Sequence, residues 1–558
     1  MNRTRLVQVR RPAEPAAAAV RSAATAPILG LSWLRHPVVA SALLAAALQS
    51  LWAALLATNG GDMAAQYAWA QFAAAHPGSA YDLAWYGGMH PVSYSVLAPY
   101  LMAWLGVRTS AVLAGTLSAA VLARLLMRSG LARPLLPALC AAAALAGNVA
   151  SGRITFAIGA LFGLAAVLAV LETRGAVPVR IAAAGLLAML ATTASPVDGL
   201  FLLAVAPALF LTGHRWGGFA LAAGPPLVVA TTTLLFPFYG VQPYGLGAAG
   251  MVLVTALPVA LLVSGVWRTV RIGAWTYLLG NLLALLIPSP IGSNVERMAL
   301  LFAGAVLLAA AMSSRGRRAV ALWLAFAVAF SWQSLQPVLD LRVALAAKGW
   351  TQYAQPLAAE LNRLGADRGR VEVVGAASHV EASSLAPAVE LARGWNRQVD
   401  TTRNPLFYRD TLTPAAYHAW LRDWAVGYVV LPMATPDFAS ETEGDIVADG
   451  QPWLRPVWSD PHWSVYRVTD AVPLVSAPAD VLNAGEAGLT LRVPEAGTTL
   501  VRVVWSPWLD VVDGTDSGED GGCLAPDGGW TRLTTTAAGT FRIGSGYALP
   551  RGSACRTG

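Results

Sequence analysis

The strongest constraint on this chain is a recurrence of apolar runs long enough to cross a lipid bilayer. The first, "PVVASALLAAALQSLWAALLAT", occupies residues 37–58. A spanning helix needs about 20 apolar residues, because its backbone polar groups find partners only within the segment. Such runs lie near 38–58, 108–128, 134–150, 153–172, 180–195, 199–213, 217–236, 246–266, 272–288, 296–313 and 318–336. This spacing predicts a polytopic α-helical membrane protein of about 11 spans. The stretch "HPVSYSVLAPYLMAWLG" (90–106) reads either as a further span or as a helix lying at the interface, where Tyr94, Tyr100 and Trp104 suit the aromatic belt.

Charge is sparse and unevenly placed. The chain is 56% hydrophobic and 12% charged, against about 25% charged in soluble domains. Its net charge of +7 lies in a basic N-terminus and in short loops, which argues for a topology signal and against a nucleic-acid partner. Arg3, Arg5, Arg10, Arg11, Arg21 and Arg35 precede the first run. That run is too long for a signal peptide and no small-residue cleavage site stands out before Asp62, so an uncleaved first span is expected after a cytoplasmic segment 1–37. The inner loops then hold Arg124, Arg128, Arg133, Arg174, Arg180, Arg215, Arg268, Arg271, Arg315, Arg317 and Arg318. The outer loops hold Arg108, Arg153 and Arg297. With an odd number of spans in the plasma membrane, everything after Leu339 is expected outside the cytoplasm.

The transmembrane domain is thus expected over 38–339, with a first external loop at 59–107. Residues 340–475 read as an extracytoplasmic α/β domain. "RVEVVG" (370–375) and "GYVVLP" (427–432) are buried strands, "PAAYHAWLRDWA" (414–425) is an amphipathic helix, and "WSVYRV" (463–468) is an alternating strand. Residues 476–558 read as a small β-sandwich. Cys523 and Cys555 both fall there, and a disulfide between them is the economical reading outside the cytoplasm. Cys140, inside an apolar run, reads as a small core residue.

Few ionisable groups fall at the expected outer face: Asp62, His76, Asp82, His90, Arg108, Arg153, Asp198, Glu296 and Arg297. Ionisable groups at span ends are costly and face a cavity or a partner. Asp62 follows Gly60-Gly61 and is expected to cap the next helix, worth about 1 kcal/mol. The same position lets a carboxylate reach a hydroxyl as general base. Arg153 and Arg297 read either as interfacial arginines or as phosphate clamps, since a guanidinium matches phosphate in a two-pronged fashion. Glu296 is a local ion-pair partner for Arg297, and Asp198 reads as a helix cap. His76 and His90 each precede a proline in a turn. Trp505, Trp508 and Trp530 read as β-sandwich core or as sugar-stacking surfaces. No HExxH, Walker, GxSxG, Rossmann or paired CxxC pattern occurs.

"TNGGDMAAQYAWAQF" followed by "WYGGMHPVSYSVLAPYL" resembles the first external loop of the GT-C superfamily of polytopic glycosyltransferases, and most closely its YfhO-like branch, which shares a GGD-x-x-x-QY pattern. "RNPLFYRDTLTPAAYHAWLRDWAVGYVVLP" also resembles that branch. The resemblance implies an inverting transferase that moves a sugar from a polyprenyl-phosphate donor to a cell-envelope glycan or lipid acceptor on the external face. It implies Asp62 as the base, with Asp82 as the next acid of the loop. Many members carry two adjacent acids there, whereas Met63 follows Asp62 in this chain, so a divalent metal remains an open cofactor. Arg153 and Arg297 are the expected donor-phosphate ligands by position, and Gln66, Tyr67, His90 and Asp198 are expected substrate contacts. A multi-pass transporter and a non-catalytic envelope-assembly protein stand as alternatives.

Overall fold

The computed structural model describes residues 34–514, 521–549 and 551–555, with the side chains of 513 and 514 left aside. The basic stretch with Arg3, Arg5, Arg10, Arg11 and Arg21 lies outside the described residues. Each predicted apolar run coincides with a helix. Eight helices are long and apolar enough to cross a membrane: Pro37–Leu55, Val107–Arg128, Ile154–Leu171, Val177–Ala194, Arg215–Leu235, Gly265–Leu286, Gly292–Met312 and Gly316–Ala346. Three shorter apolar helices, Leu135–Ala150, Pro196–Leu211 and Leu246–Leu262, lie between them. Large apolar side chains such as Leu51, Leu55, Leu186 and Leu324 remain exposed on the bundle. A helix that is apolar on its outer face as well as its inner one suits a lipid environment.

Short turns make successive helices alternate in direction, so the bundle has two chemically distinct ends. At one end Arg124 pairs with Glu172 at 3.1 Å, Arg128 pairs with the same carboxylate, and the Arg318 Nε donates to the Leu262 carbonyl at 2.6 Å. At the other end the polar part of the chain folds over the helices. The stretch 90–106 does not span: it breaks into Pro91–Tyr94 and Ala98–Leu105. Eight residues rise only about 12 Å, and the Ser95 hydroxyl accepts from the Ala98 N–H at the start of the second piece at 3.0 Å.

The α/β region carries a five-stranded sheet of β1 (Arg370–Val373), β2 (Glu390–Leu391), β3 (Val426–Pro432), β4 (Leu454–Ser459) and β5 (Trp463–Val468). Its order is β2-β1-β3-β5-β4, parallel through β2, β1 and β3 and antiparallel beyond. Strand residues alternate between two cores. Val371, Val373 and Val430 pack with the helices Trp350–Arg363 and Val380–Leu385. Val426 and Val429 pack with Pro414–Asp423 and Glu441–Ala448 on the opposite face. The first loop enters this fold directly. Trp69, Trp85, Tyr86 and Met89 join the first core, Trp85 bridges Leu391 at the sheet edge, and the Leu391 N–H donates to the Ala84 carbonyl at 2.8 Å.

The C-terminal region is strand-rich: β6 (Asp480–Gly485), β7 (Gly488–Val493), β8 (Gly497–Val504), β9 (Leu509–Gly514), β10 (Gly522–Asp527), β11 (Trp530–Thr535) and β12 (Gly539–Ser545). They form one sheet ordered β10-β11-β8 and another ordered β6-β7-β12-β9. Inward residues Leu491, Val501, Val503, Leu533, Phe541 and Ile543 share one core. Cys523 and Cys555 are disulfide-bonded, as expected. Packing also accounts for the tryptophans. Trp508 stacks on Phe236 at 4.7 Å, its indole N–H donating to the Leu235 carbonyl at 2.7 Å. Trp530 meets Trp424 edge-on, and Trp505 packs against the strand-rich core.

Candidate functional site

Two backbone features bring Asp62 and Arg153 together. Gly61 takes φ 65° and is itself the N-cap of helix Asp62–Ala75. Its N–H donates to the Ser378 carbonyl of the α/β region at 2.6 Å. Asp62 is therefore the first helical residue and makes no side-chain cap, which corrects the capping expectation. Its carboxylate is turned instead toward Arg153, with Oδ2 3.8 Å from Nε. Gly152, at φ 77°, makes this approach possible. A Cβ there would sit 2.9 Å from the Met63 backbone nitrogen and 3.3 Å from the Asp62 Cβ. In "SGRITF" the glycine thus lets the turn between two bundle helices lie against the helix that carries Asp62.

Arg153 is held on its other side by Asp340, whose Oδ2 lies 3.2 Å from Nη2. Asp340 is fixed in turn by Gln336 one helical turn earlier, whose Nε2 donates to Oδ1 at 2.9 Å. This acid lies beyond the expected span boundary because helix Gly316–Ala346 continues unbroken for 31 residues. Arg297 opens helix Arg297–Met312 and lies 5.2 Å over the Phe156 ring. Among the described residues it forms no ion pair, and the one expected with Glu296 is not made.

These groups line two adjoining clefts where the bundle meets the α/β region. One is bounded by Asp62, Arg153, Asp340, His379, Arg397 and Asp437, with Trp52 and Leu341 on the bundle side. The other is bounded by Asp62, Tyr94, Arg153, Glu296, Arg297 and Arg397. Asp62, Arg153, Trp395 and Arg397 are common to both. The α/β wall was not foreseen from the sequence. Arg397 grips Asp437 through two bonds of 2.8 Å, and its guanidinium lies over Phe438 at 4.6 Å. Burial alone would raise the Asp437 pKa, but His379 and Arg397 outweigh it and hold the carboxyl well below its usual range. Burial lowers the pKa of His379.

The remaining expected residues go elsewhere. Gln66 is buried beneath the site, where its amide donates to the Tyr94 hydroxyl at 2.6 Å and its carbonyl accepts from the Thr155 hydroxyl at 2.6 Å. It holds Tyr94, which lines the cleft, rather than facing the cleft itself. The Tyr67 hydroxyl accepts from Arg108 at 3.0 Å, and Arg108 also reaches the carbonyls ending the first helix. Asp82 does not join Asp62. It is buried in a tight hairpin, accepts from the Ala84 N–H at 2.8 Å, and has its pKa raised well above the usual value, chiefly by burial. His90 is fixed between the Ala80 carbonyl at 2.7 Å and the Ser506 hydroxyl at 3.0 Å, and burial lowers its pKa to about 4. Asp198 is buried in the first turn of helix Pro196–Leu211 and lines neither cleft.

Among the described residues no group of three or more His, Cys, Asp and Glu side chains gathers, and Asp62 and Asp340 already share the Arg153 cation. The fold therefore defines a class: apolar helices suited to a lipid bilayer, with a polar α/β head and a strand-rich C-terminal region. The strand-rich region, residues 476–558, matches a family described as a domain of unknown function, DUF8823. No curated protein matches the chain.

Proposed function

We propose that this chain is a GT-C-like, YfhO-like glycosyltransferase of about 11 spans. It transfers a sugar from a polyprenyl-phosphate donor to a cell-envelope acceptor on the external face of the plasma membrane. One observation supports this reading above the others: Asp62, Arg153 and Arg297 line a single cleft at the end of the bundle. The arginine-rich opposite end suits the cytoplasm by the positive-inside rule.

Arg297, free of an ion pair among the described residues, receives the donor phosphate. Arg153 contacts Asp62 only at ion-pair distance, and its Nε has no hydrogen-bond partner among the described residues. An arriving phosphate competes for that guanidinium and frees Asp62. The carboxylate then takes the proton of the acceptor hydroxyl. The hydroxyl oxygen attacks the anomeric carbon from the face opposite the phosphate, and the C–O bond to phosphate breaks with inversion. The phosphate leaves with the bonding electrons, and the arginines stabilise the growing charge.

The test is transfer of label from a polyprenyl-phosphate sugar to an endogenous acceptor in membranes containing the chain. Wild type should form product and Asp62→Asn should not, at equal folded amount. Retained transfer in the variant overturns the assignment. A second reading, a non-catalytic assembly protein, draws support from Arg153, which two carboxylates already neutralise. Absence of transfer from every polyprenyl-phosphate sugar by the wild type would favour it. Solute flux in sealed vesicles without covalent product would favour the transporter.

A further inference from the structure

The end of the five-stranded sheet remote from the bundle carries a groove of a different kind. It opens where β1 and β3 begin, bounded there by Arg370, Ala425 and Gly427. The cleft between Asp62 and Asp340 instead takes Ala377, His379 and Asp437 from beyond the carboxyl ends of the same parallel strands. The seven residues of β3 put about 20 Å between the two ends. Both walls of the groove are fixed. The Tyr428 hydroxyl donates to the Leu364 carbonyl at 2.9 Å, tying the end of helix Trp350–Arg363 to the sheet. Opposite, Arg502 of β8 donates to the Leu474 carbonyl from its backbone N–H and to the Pro473 carbonyl from Nη1, both at 2.9 Å. The groove is therefore pre-formed between the head and the strand-rich region.

Cations line it and acids do not. Arg368, Arg455 and Arg467 border it, all three exposed, and its lining contains no aspartate or glutamate. Arg455 of β4 is paired directly with Arg467 of β5, which is paired in turn with Tyr428 of β3. The three side chains thus stand in a row on one face, and like charges directly opposite on neighbouring strands repel. Among the described residues none of the three guanidiniums makes an ion pair or a side-chain hydrogen bond. The acids nearest in sequence, Asp367 and Asp470, stay out of the lining. Asp470 is held by His418 at 2.8 Å and Arg422 at 3.2 Å. The buried Arg370 is matched by Glu390 at 3.7 Å and adds no net charge. The uncompensated charge is therefore that of the three exposed arginines. Guanidiniums so grouped fit phosphate or carboxylate oxygens, and a groove lined by one sign of charge draws in the opposite sign. A lipid headgroup is the wrong source for that anion, because the groove lies at the end of the sheet away from the bundle.

We propose that this groove binds an anionic glycan, one bearing phosphodiester or carboxylate groups, and so docks the head on a polymer beyond the membrane. The glycan setting rests on the extracytoplasmic placement of the head, whereas anion binding does not. The test is fluorescence anisotropy with the full chain in nanodiscs of zwitterionic lipid. The probes are labelled glycerol-phosphate oligomers, labelled oligogalacturonate and labelled neutral dextran of similar length. At least one acidic probe should bind, dextran should not, and added salt should weaken the binding. A preference between the two acidic probes supports the proposal and names the source of the anion. Arg455→Gln combined with Arg467→Gln should weaken binding at least about tenfold, and Arg368→Gln alone should weaken it several-fold. Arg409→Gln combined with Arg492→Gln removes two exposed charges elsewhere and should leave it unchanged. If the Arg455 and Arg467 double variant fails to fold, Arg368→Gln decides, because Arg368 ends a short turn outside the sheet. Equal loss in the two double variants, binding of dextran as tight as that of the acidic probes, or no binding at all overturns the proposal. Capture of phosphatidylglycerol vesicles without binding of either acidic probe does the same, in favour of a membrane contact. Binding by a head that impermeant reagents reach only from the cytoplasmic side would keep the anion site and overturn its glycan role.

Discussion

Two arginines in this molecule each stand between carboxylates, and they differ in how closely and how dryly those carboxylates hold them. Arg393 is 2.8 Å from Glu372 and also meets Glu443, both carboxylates being fully buried, and it donates to Ser440 at 2.9 Å. Arg153 stands 3.8 Å from Asp62 and 3.2 Å from Asp340, whose side chains are 38% and 24% exposed. The first cluster is short, dry and cross-braced, and joins β1 to the helix Glu441–Ala448. The second is long, wet and open to two clefts. Ion pairs of the second kind contribute little to stability, about 0–1 kcal/mol, so its members are free to exchange partners.

The sharpest way to break this contrast is to neutralise one carboxylate at the open site. Asp62→Asn should lower glycosyl transfer by about 10²–10⁴-fold, the usual worth of a general base, with little change in the unfolding midpoint. A loss of stability equal to that at the dry cluster would show that the two arginines do not differ in kind. The complementary experiment is Arg393→Met. It leaves Glu372 and Glu443 buried without their cation, which should cost about 3–5 kcal/mol. Chemical denaturation followed by tryptophan fluorescence would report it. A smaller cost, below about 1 kcal/mol, would place Arg393 with Arg153.

The open site was only partly legible in the sequence. Apolar runs mark the bundle because a lipid-facing helix must be apolar all round, and each run was found as a helix. Asp62, Arg153 and Arg297 were visible as rare charges at the ends of those runs. Asp340 was missed because polar residues around it suggested that the helix had ended. The Gln336–Asp340 spacing of one turn was the available signal. Arg397, His379 and Asp437 were missed for another reason. They sit on loops after strands, and only the strand order β2-β1-β3 brings them to the bundle. The burial of Asp82 and His90 was equally hidden, since it depends on the first loop packing into the head and against Ser506.

A milder probe addresses the free cation. Arg297→Ala removes a guanidinium that no carboxylate holds among the described residues, so stability should change little. Transfer should fall about 10- to 100-fold, matching the 1.5–3 kcal/mol of a hydrogen bond to a charged group, mainly through weaker donor binding. Arg297→Lys should recover part of it, because lysine keeps the charge without the two-pronged fit. A variant that loses folding instead of donor affinity would move Arg297 to the structural side of the comparison.

The smallest effect expected concerns the boundary between the two arginine clusters, where Glu381 sits. Burial, aided by the Asp437 charge, pushes its carboxyl up to about 8, while Arg393 and the Ala376 N–H at 3.2 Å pull the other way. His379 faces it at 3.9 Å. The native state therefore keeps a proton on Glu381 that the unfolded chain releases near 4.5. Stability from this group is fully present below the unfolded value and is lost as pH rises through about 8. Glutamine mimics the protonated form at every pH. Glu381→Gln should thus match wild type at low pH and exceed it in the unfolding midpoint at alkaline pH. Other buried acids, including Glu390, titrate in both chains and cancel in the difference. Equal midpoints at every pH would mean that the proton is not held there, and that the surroundings of Glu381 are as wet as the cleft beside Arg153.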